Sequence, residues 1–334
     1  MKKSLIALAV LAASGASFAQ SSVTLYGLAD VWLGSVKTTD GVTGTSQSTT
    51  SMESGGVNGS SWGMKGSEDL GGGLKANFQL EQGFNLDDGS VKLSGQPAGQ
   101  AFSRQSWVGF SGGFGEVQIG KSWSAYDDVS GASNAVFDSA LAPMNHVFNS
   151  IDYNDRPANG LKYISPTFSG FSGAISYSLD EKVVTATKVT ALSLSYGAGP
   201  LAAQFGYQVE DGTTANDTKY TRLGGSYDFG MATAKLTYGK VTNVGNVSGA
   251  DTTEYQIGAD FPVGKALTVS ASYAKSDDNA TAGNQSRKGY GIAAAYTLSK
   301  RTFLYGGYTA NKFSNAGAGD DKLDILAVGV QHKF

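Results

Sequence analysis

Leu74-Lys-Ala-Asn-Phe-Gln-Leu-Glu81 places Leu74, Ala76, Phe78 and Leu80 on one side and Lys75, Asn77, Gln79 and Glu81 on the other. An extended chain sends successive side chains to opposite faces, so this period of two describes a strand with one apolar and one polar face. The same pattern recurs far along the chain. Tyr255, Ile257, Ala259 and Phe261 alternate with Glu254, Gln256 and Asp260, and Leu267, Val269, Ala271 and Tyr273 alternate with Thr268, Ser270 and Ser272. Leu326, Val328, Val330 and Phe334 share a face opposite Gln331 and Lys333. Helical periodicity is hard to find, and the expected class is all-β.

The connections between these strands are of two kinds. Short ones with Gly or Pro turn chemistry fall at 68–73, 111–113, 165–170, 197–200, around Gly230, 262–265 and 299–301. Long polar ones fall at 36–57, 85–100, 122–149, 180–188, 210–218, 242–250, 276–285 and 311–321. They alternate along the chain, and seven short and eight long connections imply about 16 strands. A soluble sandwich would bury the apolar faces against each other. Sixteen strands closed on themselves instead enclose an aqueous channel, because side chains cannot fill so wide a barrel. The apolar faces then point outward and need hydrocarbon, where a sheet must close to satisfy its edges. Strands near ten residues, short turns on one rim and long loops on the other fit an outer-membrane barrel. Tyr26, Trp32, Trp62, Trp107, Tyr290, Tyr296, Tyr305, Tyr308 and Phe334 are candidates for its aromatic belts. The expectation is a 16-stranded antiparallel transmembrane β-barrel.

Composition narrows the function. Gly supplies 46 of 334 residues, roughly twice the ordinary usage, and only 16% of residues are charged. The absence of Cys excludes a disulfide framework, a thiolate metal site and thiol chemistry. A net charge of −3 provides no general attraction for nucleic acid. Lys2 and Lys3, the apolar run 5–13 and Ser17-Phe-Ala19 read as a secretory leader over residues 1–19, leaving a mature chain from 20 to 334. Without Lys2 and Lys3 the mature chain is more acidic still.

Ser22-Val-Thr-Leu-Tyr-Gly-Leu-Ala-Asp30 and Trp62-Gly-Met-Lys-Gly-Ser-Glu-Asp-Leu-Gly-Gly-Gly-Leu-Lys-Ala76 resemble the first strands and first periplasmic turn of general porins from beta-proteobacteria. Arg104-Gln-Ser-Trp-Val-Gly-Phe110, Gly112-Gly-Phe-Gly-Glu-Val-Gln-Ile-Gly-Lys121, Asp155-Arg-Pro-Ala-Asn-Gly-Leu-Lys-Tyr163, Ser165-Pro-Thr-Phe-Ser-Gly-Phe171 and Gly329-Val-Gln-His-Lys-Phe334 extend the resemblance over essentially the whole chain. It implies a homotrimer of barrels in the Gram-negative outer membrane, surrounded by lipid and lipopolysaccharide and passing ions and small hydrophilic solutes passively. It further implies that the loop 122–149 folds inward to narrow the pore, with carboxylates facing a basic wall. Arg156 and Lys121 match basic positions of that eyelet, and Arg104 and Lys65 match wall positions less closely. Ser61 stands where the family often has another Arg. In the loop, Asp127, Asp128 and Asp138 are candidates for the acidic side, with Glu116 and Asp155 as further lumen residues. Asp127 and Asp128 have a second reading, as the start of a short helix. Phe334 resembles the terminal signal read by the barrel assembly machinery.

A charged constriction needs no cofactor or metal, and none is implied. An enzyme on a barrel would need a nucleophile and a base within hydrogen-bond reach. The two histidines, His146 and His332, adjoin no Gly-x-Ser-x-Gly elbow. A plugged barrel acting as an adhesin and a substrate-specific channel are the other readings, and conductance separates a plugged lumen from an open one.

Overall fold

The computed structural model describes residues 22–91, 101–179, 181, 188–211, 216–314 and 319–334. The leader expected at 1–19 lies outside them. Extended segments run in the order β1 (Ser22–Thr39), β2 (Ser46–Ser54), β3 (Ser61–Gly71), β4 (Leu74–Gly83), β5 (Gln105–Gly112), β6 (Gly115–Lys121), β7 (Gly160–Ile164), β8 (Phe171–Ser178), β9 (Val189–Ala198) and β10 (Leu201–Glu210). They continue with β11 (Thr218–Asp228), β12 (Thr233–Thr242), β13 (Thr252–Val263), β14 (Leu267–Asp278), β15 (Ser286–Thr297), β16 (Thr302–Ser314) and β17 (Asp320–Lys333). Neighbours pair antiparallel throughout. The upper half of β1 pairs β2 from Val31 to Thr39, and its lower half pairs β3 from Ser22 to Leu28. β2 and β3 are therefore two halves of one stave, and the barrel has sixteen.

β1 also pairs β17, from Leu28 opposite Lys333 to Thr39 opposite Lys322, which closes the sheet. Phe334 completes the seam by exchanging both backbone hydrogen bonds with Gly27 at 3.0 Å. All seven short turns lie where the Gly and Pro signals put them. The first is the run Gly71-Gly72-Gly73, with φ of +86°, +61° and +82°, values that only Gly adopts without strain. The long connection expected at 36–57 is different. It is mostly strand, the ends of β1 and β2 joined through 40–45, with both faces polar. Above the membrane water solvates both faces, so the alternation that marks a strand is missing there.

The outward faces are apolar and the inward ones largely polar, with apolar patches of their own. Tyr255, Ile257 and Phe261 are exposed outward while Glu254 and Gln256 are buried inward, and Leu326 and Val328 lie outside β17. Each large side chain that passes from water into hydrocarbon contributes about 1.5–3 kcal/mol. The aromatic belt expectation holds in part. Trp62, Tyr290, Tyr296 and Phe334 face out, but Trp32, Trp107 and Tyr305 are buried inside the barrel. Their position in the alternation decides this, since β1, β5 and β16 carry these rings on the inward face.

Candidate functional site: the narrowed lumen

The chain between β6 and β7 turns into the barrel instead of rising above it, and its inward course continues past Asn149 to the start of β7. It contains single helical turns at Asp127–Ser130 and Met144–Val147 and a 3-10 turn at Val136–Asp138. Its apolar residues build an interior core. Ala125 and Tyr126 pack on Ala174, Ala191, Tyr220 and Val241 of the wall. Val136, Leu141 and Ala142 pack on Trp32, Ala293, Tyr305, Ile325 and Ala327. Met144, Val147 and Phe148 pack on Ala274.

Between these contacts the wall carries glycine where the loop comes nearest. Gly206, Gly224, Gly239, Gly258 and Gly291 stand on the inward faces of β10, β11, β12, β13 and β15. A Cβ at Gly258 would lie 2.4 Å from the Ala135 Cβ, and one at Gly224 would lie 2.1 Å from Ser133 Oγ. At Gly291 it would meet the Leu141 carbonyl at 2.4 Å. These approaches are far inside van der Waals contact, so the loop sits where it does only because these positions carry no side chain.

Polar side chains pin the loop at each end of this track. Arg222 donates to the Ser130 carbonyl and, at 2.7 Å, to Ser150 Oγ. Glu254 accepts from the backbone N–H of Asn149 and, at 3.2 Å, of Ser150. Arg287 donates to Asn149 Oδ1 and pairs with Asp278. Val136 N–H donates to Ser270 Oγ at 2.7 Å.

The four basic residues singled out in the sequence gather on the opposite side. Lys65 Nζ lies 5.3 Å from the Tyr26 ring centre, the Tyr26 hydroxyl donates to Glu81 at 2.9 Å, and Glu81 pairs with Arg104 at 2.6 Å. Arg104 and Arg156 lie over the Trp123 ring at 5.4 and 3.6 Å, and Lys121 donates to the Arg156 carbonyl at 2.9 Å. One continuous chain of contacts thus joins all four. Arg156 belongs to the returning limb of the loop rather than to a barrel strand, and pairs with Asp155 at 2.8 Å. Lys121 follows Ile119, which faces outward, so strict alternation would send it to lipid. Gly120, at φ +133°, breaks that alternation, and a Cβ there would meet the Ser106 carbonyl at 2.3 Å. Ser61 is inward and buried, leaving its position without a cation.

The three loop aspartates are placed differently from one another. Asp128 pairs with Lys162 of β7 at 2.6 Å, a wall cation that the sequence reading passed over. Asp127 accepts from the Tyr153 hydroxyl at 2.6 Å. Burial pushes its carboxyl up to about 7, outweighing the hydrogen bond from Tyr153 that favours the charged form. Asp138 is open to the lumen and accepts from the side-chain amides of Asn134 and Asn145 at 2.6 and 3.1 Å. Asp127 and Asp128 do open a short helical turn, Asp127–Ser130, although neither caps it; the N-cap is Tyr126, which makes no side-chain capping bond. Glu116 lies lower in the lumen and accepts from Gln118 at 3.0 Å.

The histidines are far apart in role. His146 Nε2 lies 2.7 Å from the Ala140 carbonyl within the loop, while His332 bonds Thr302 Oγ1 at 2.8 Å near the short-turn rim. Among the described residues no group of His, Cys, Asp or Glu is arranged to hold a metal ion.

A closed sheet greasy outside and wet inside, narrowed by its own loop, defines a transmembrane channel scaffold. A model of the Gram-negative porin family matches residues 5–316. The chain is 35% identical to outer membrane porin protein 32 of Delftia acidovorans over 349 residues, covering 99% of this chain and 95% of that one. An anion-selective porin from Comamonas acidovorans superposes with a TM-score of 0.79 at 28% identity, over 94% of this chain and 100% of that one. A trimer form of OmpT, an outer membrane protein of Vibrio cholerae, shares the fold with a TM-score of 0.66 at 17% identity, over 94% and 99%. The chain belongs to the Gram-negative porin family, in its beta-proteobacterial form, and is a multi-pass protein of the outer membrane. The family is one of diffusion channels rather than enzymes.

Proposed function

We propose that ions and small hydrophilic solutes cross the barrel between the basic cluster of Lys65, Arg104, Lys121 and Arg156 and the loop carrying Asp127, Asp128 and Asp138, with a moderate preference for anions. One observation supports the sign. Arg104, Arg156 and Lys162 each have a carboxylate partner, whereas among the described residues Lys65 and Lys121 have none within ion-pair distance. The wall therefore carries unneutralised positive charge into a narrow, weakly screened space. Asp138 opposes it from the loop, and Asp127 is only partly charged near neutral pH. The anion-selective porin from Comamonas acidovorans, similar over nearly the whole chain, favours the same reading.

Reversal potentials across a salt gradient test it. Anion preference in the parent protein, reduced in Lys121→Ala, is the expected result; equal permeability, or cation preference, overturns the sign. Absence of single-channel conductance overturns the channel reading itself.

The homotrimer belongs to the same proposal, supported by the trimer form of a protein of this fold. It predicts an SDS-resistant species at room temperature that dissociates on heating. We also propose removal of residues 1–19 on export, contact with lipid and lipopolysaccharide through the outer faces, and reading of Phe334 by the barrel assembly machinery. The exposed ring of Phe334 at the seam supports the last of these.

A further inference from the structure

The stave formed by β2 and β3 is broken at residues 55–60, and the break points into the lumen. Gly55, at φ +80°, turns the chain off the strand, and its N–H donates to the Asp30 carbonyl at 2.9 Å. Ser60 takes up the other side, accepting from Asp30 N–H at 3.0 Å and donating to the Asp30 carbonyl at 3.1 Å. Between them the chain wraps around the Asp30 carboxylate. Oδ1 accepts from Gly56 N–H at 2.9 Å and from the Tyr305 hydroxyl at 2.6 Å. Oδ2 accepts from Val57 N–H at 3.1 Å, Asn58 N–H at 3.0 Å and Gln331 Nε2 at 2.9 Å. Asp30 is fully buried, and all of these donors are neutral. Three consecutive amides around one carboxylate form a preorganised nest. The apex of the knuckle touches the constriction loop, where the Gly56 carbonyl accepts from Ala140 N–H at 2.7 Å. Gly56 is wedged so tightly that a Cβ would fall 2.0 Å from the Tyr305 hydroxyl.

We infer that Asp30 is a positioning residue for permeation: its carboxylate holds the 55–60 knuckle as an inward tether for the loop tip, and so fixes the place of Asp138 and the aperture beside it. The inference rests on the lumen being the diffusion path. The tip is held at this point by backbone rather than by charge. An Asn at position 30 would keep the shape but turn its amide donors toward N–H groups that need an acceptor.

Single-channel recordings of the purified parent protein, Asp30→Asn and Tyr305→Phe test the inference, with Asp40→Asn in the exposed outer turn as control. Asp30→Asn is expected to raise the variance of the open-channel current about threefold or more and to spread it over several levels, as the tip samples detached positions. Tyr305→Phe, which removes one of the five donors, moves the same readouts in the same direction by less, and the control matches the parent. If Asp30→Asn fails to fold, Tyr305→Phe decides alone. Folded variants that lose heat resistance but keep the parent's current level and noise show a purely structural role and overturn the inference. A parent protein that does not conduct overturns the channel reading instead.

Discussion

The two sides of this lumen are built on opposite rules. On β10, β11, β12, β13 and β15 the inner wall carries glycine at the points where the loop presses closest against it. From β3 to β7 the wall and the adjoining limb of the loop are crowded with Lys65, Arg104, Lys121, Arg156 and Lys162. On the proposed reading, close packing on glycine mainly sets the aperture and the basic cluster mainly sets its charge, on separate strands. Each can therefore be altered with the other left in place.

Breaking the glycine side has the largest expected effect. Gly258→Val drives a branched side chain into Ala135, and overpacking of this kind costs about 1–3 kcal/mol or expels the obstacle. The expected outcome is a lowered dissociation temperature together with higher, irregular conductance, read by heating gels and bilayer recordings. Unchanged conductance and stability would remove the docking role of the track. On the charged side, Arg156→Ala removes both a cation and the guanidinium stacked on Trp123, freeing Arg104 to shift. A fall of about threefold in anion-to-cation permeability is expected, with conductance changing little. Lys121→Ala removes one charge with less rearrangement. An ion passing about 7 Å from it in a water-like medium feels roughly 0.6 kcal/mol, a twofold to threefold change in that ion's local concentration before screening by salt, and screening leaves about a twofold change in relative permeability.

The smallest effect sharpens the comparison from the loop. Asp127 titrates at about 7, so it is charged above that pH and neutral below it. Acidification from pH 8 to pH 6 therefore removes a negative charge facing the basic cluster and raises anion preference. Asp127→Asn is expected to show the pH 6 preference at both values, and reversal potentials measured at each pH check it.

The sequence reveals these two sides unequally. Strands, turns and the number of staves are local, because alternation and turn chemistry act within a few residues. The inward or outward aim of Glu254 or Ile257 follows from the same alternation. It fails at Lys121, where Gly120 reverses it, and over 46–54, where no apolar face exists to mark a strand. The basic cluster emerges through resemblance and position on the strands. Its holding partners do not, since Glu81 and Trp123 are ordinary residues until folding sets them beside Arg104. The anchors of the loop are harder still. Arg222 meets Ser130 across 92 positions and Arg287 meets Asn149 across 138, and no spacing rule links such pairs. The glycine track is visible only as an excess of Gly, without the partner that explains it.

That track also bears on how the molecule is made. Strands rich in glycine hold their shape poorly by themselves, because the bare backbone has more freedom to lose and little to pack. The loop supplies the missing side chains from outside the strand, as a mould supplies the form of a soft casting. Excising it would leave a slack, ragged wall in place of a clean, wider hole, and the constriction is thus part of what lets the barrel keep its roundness.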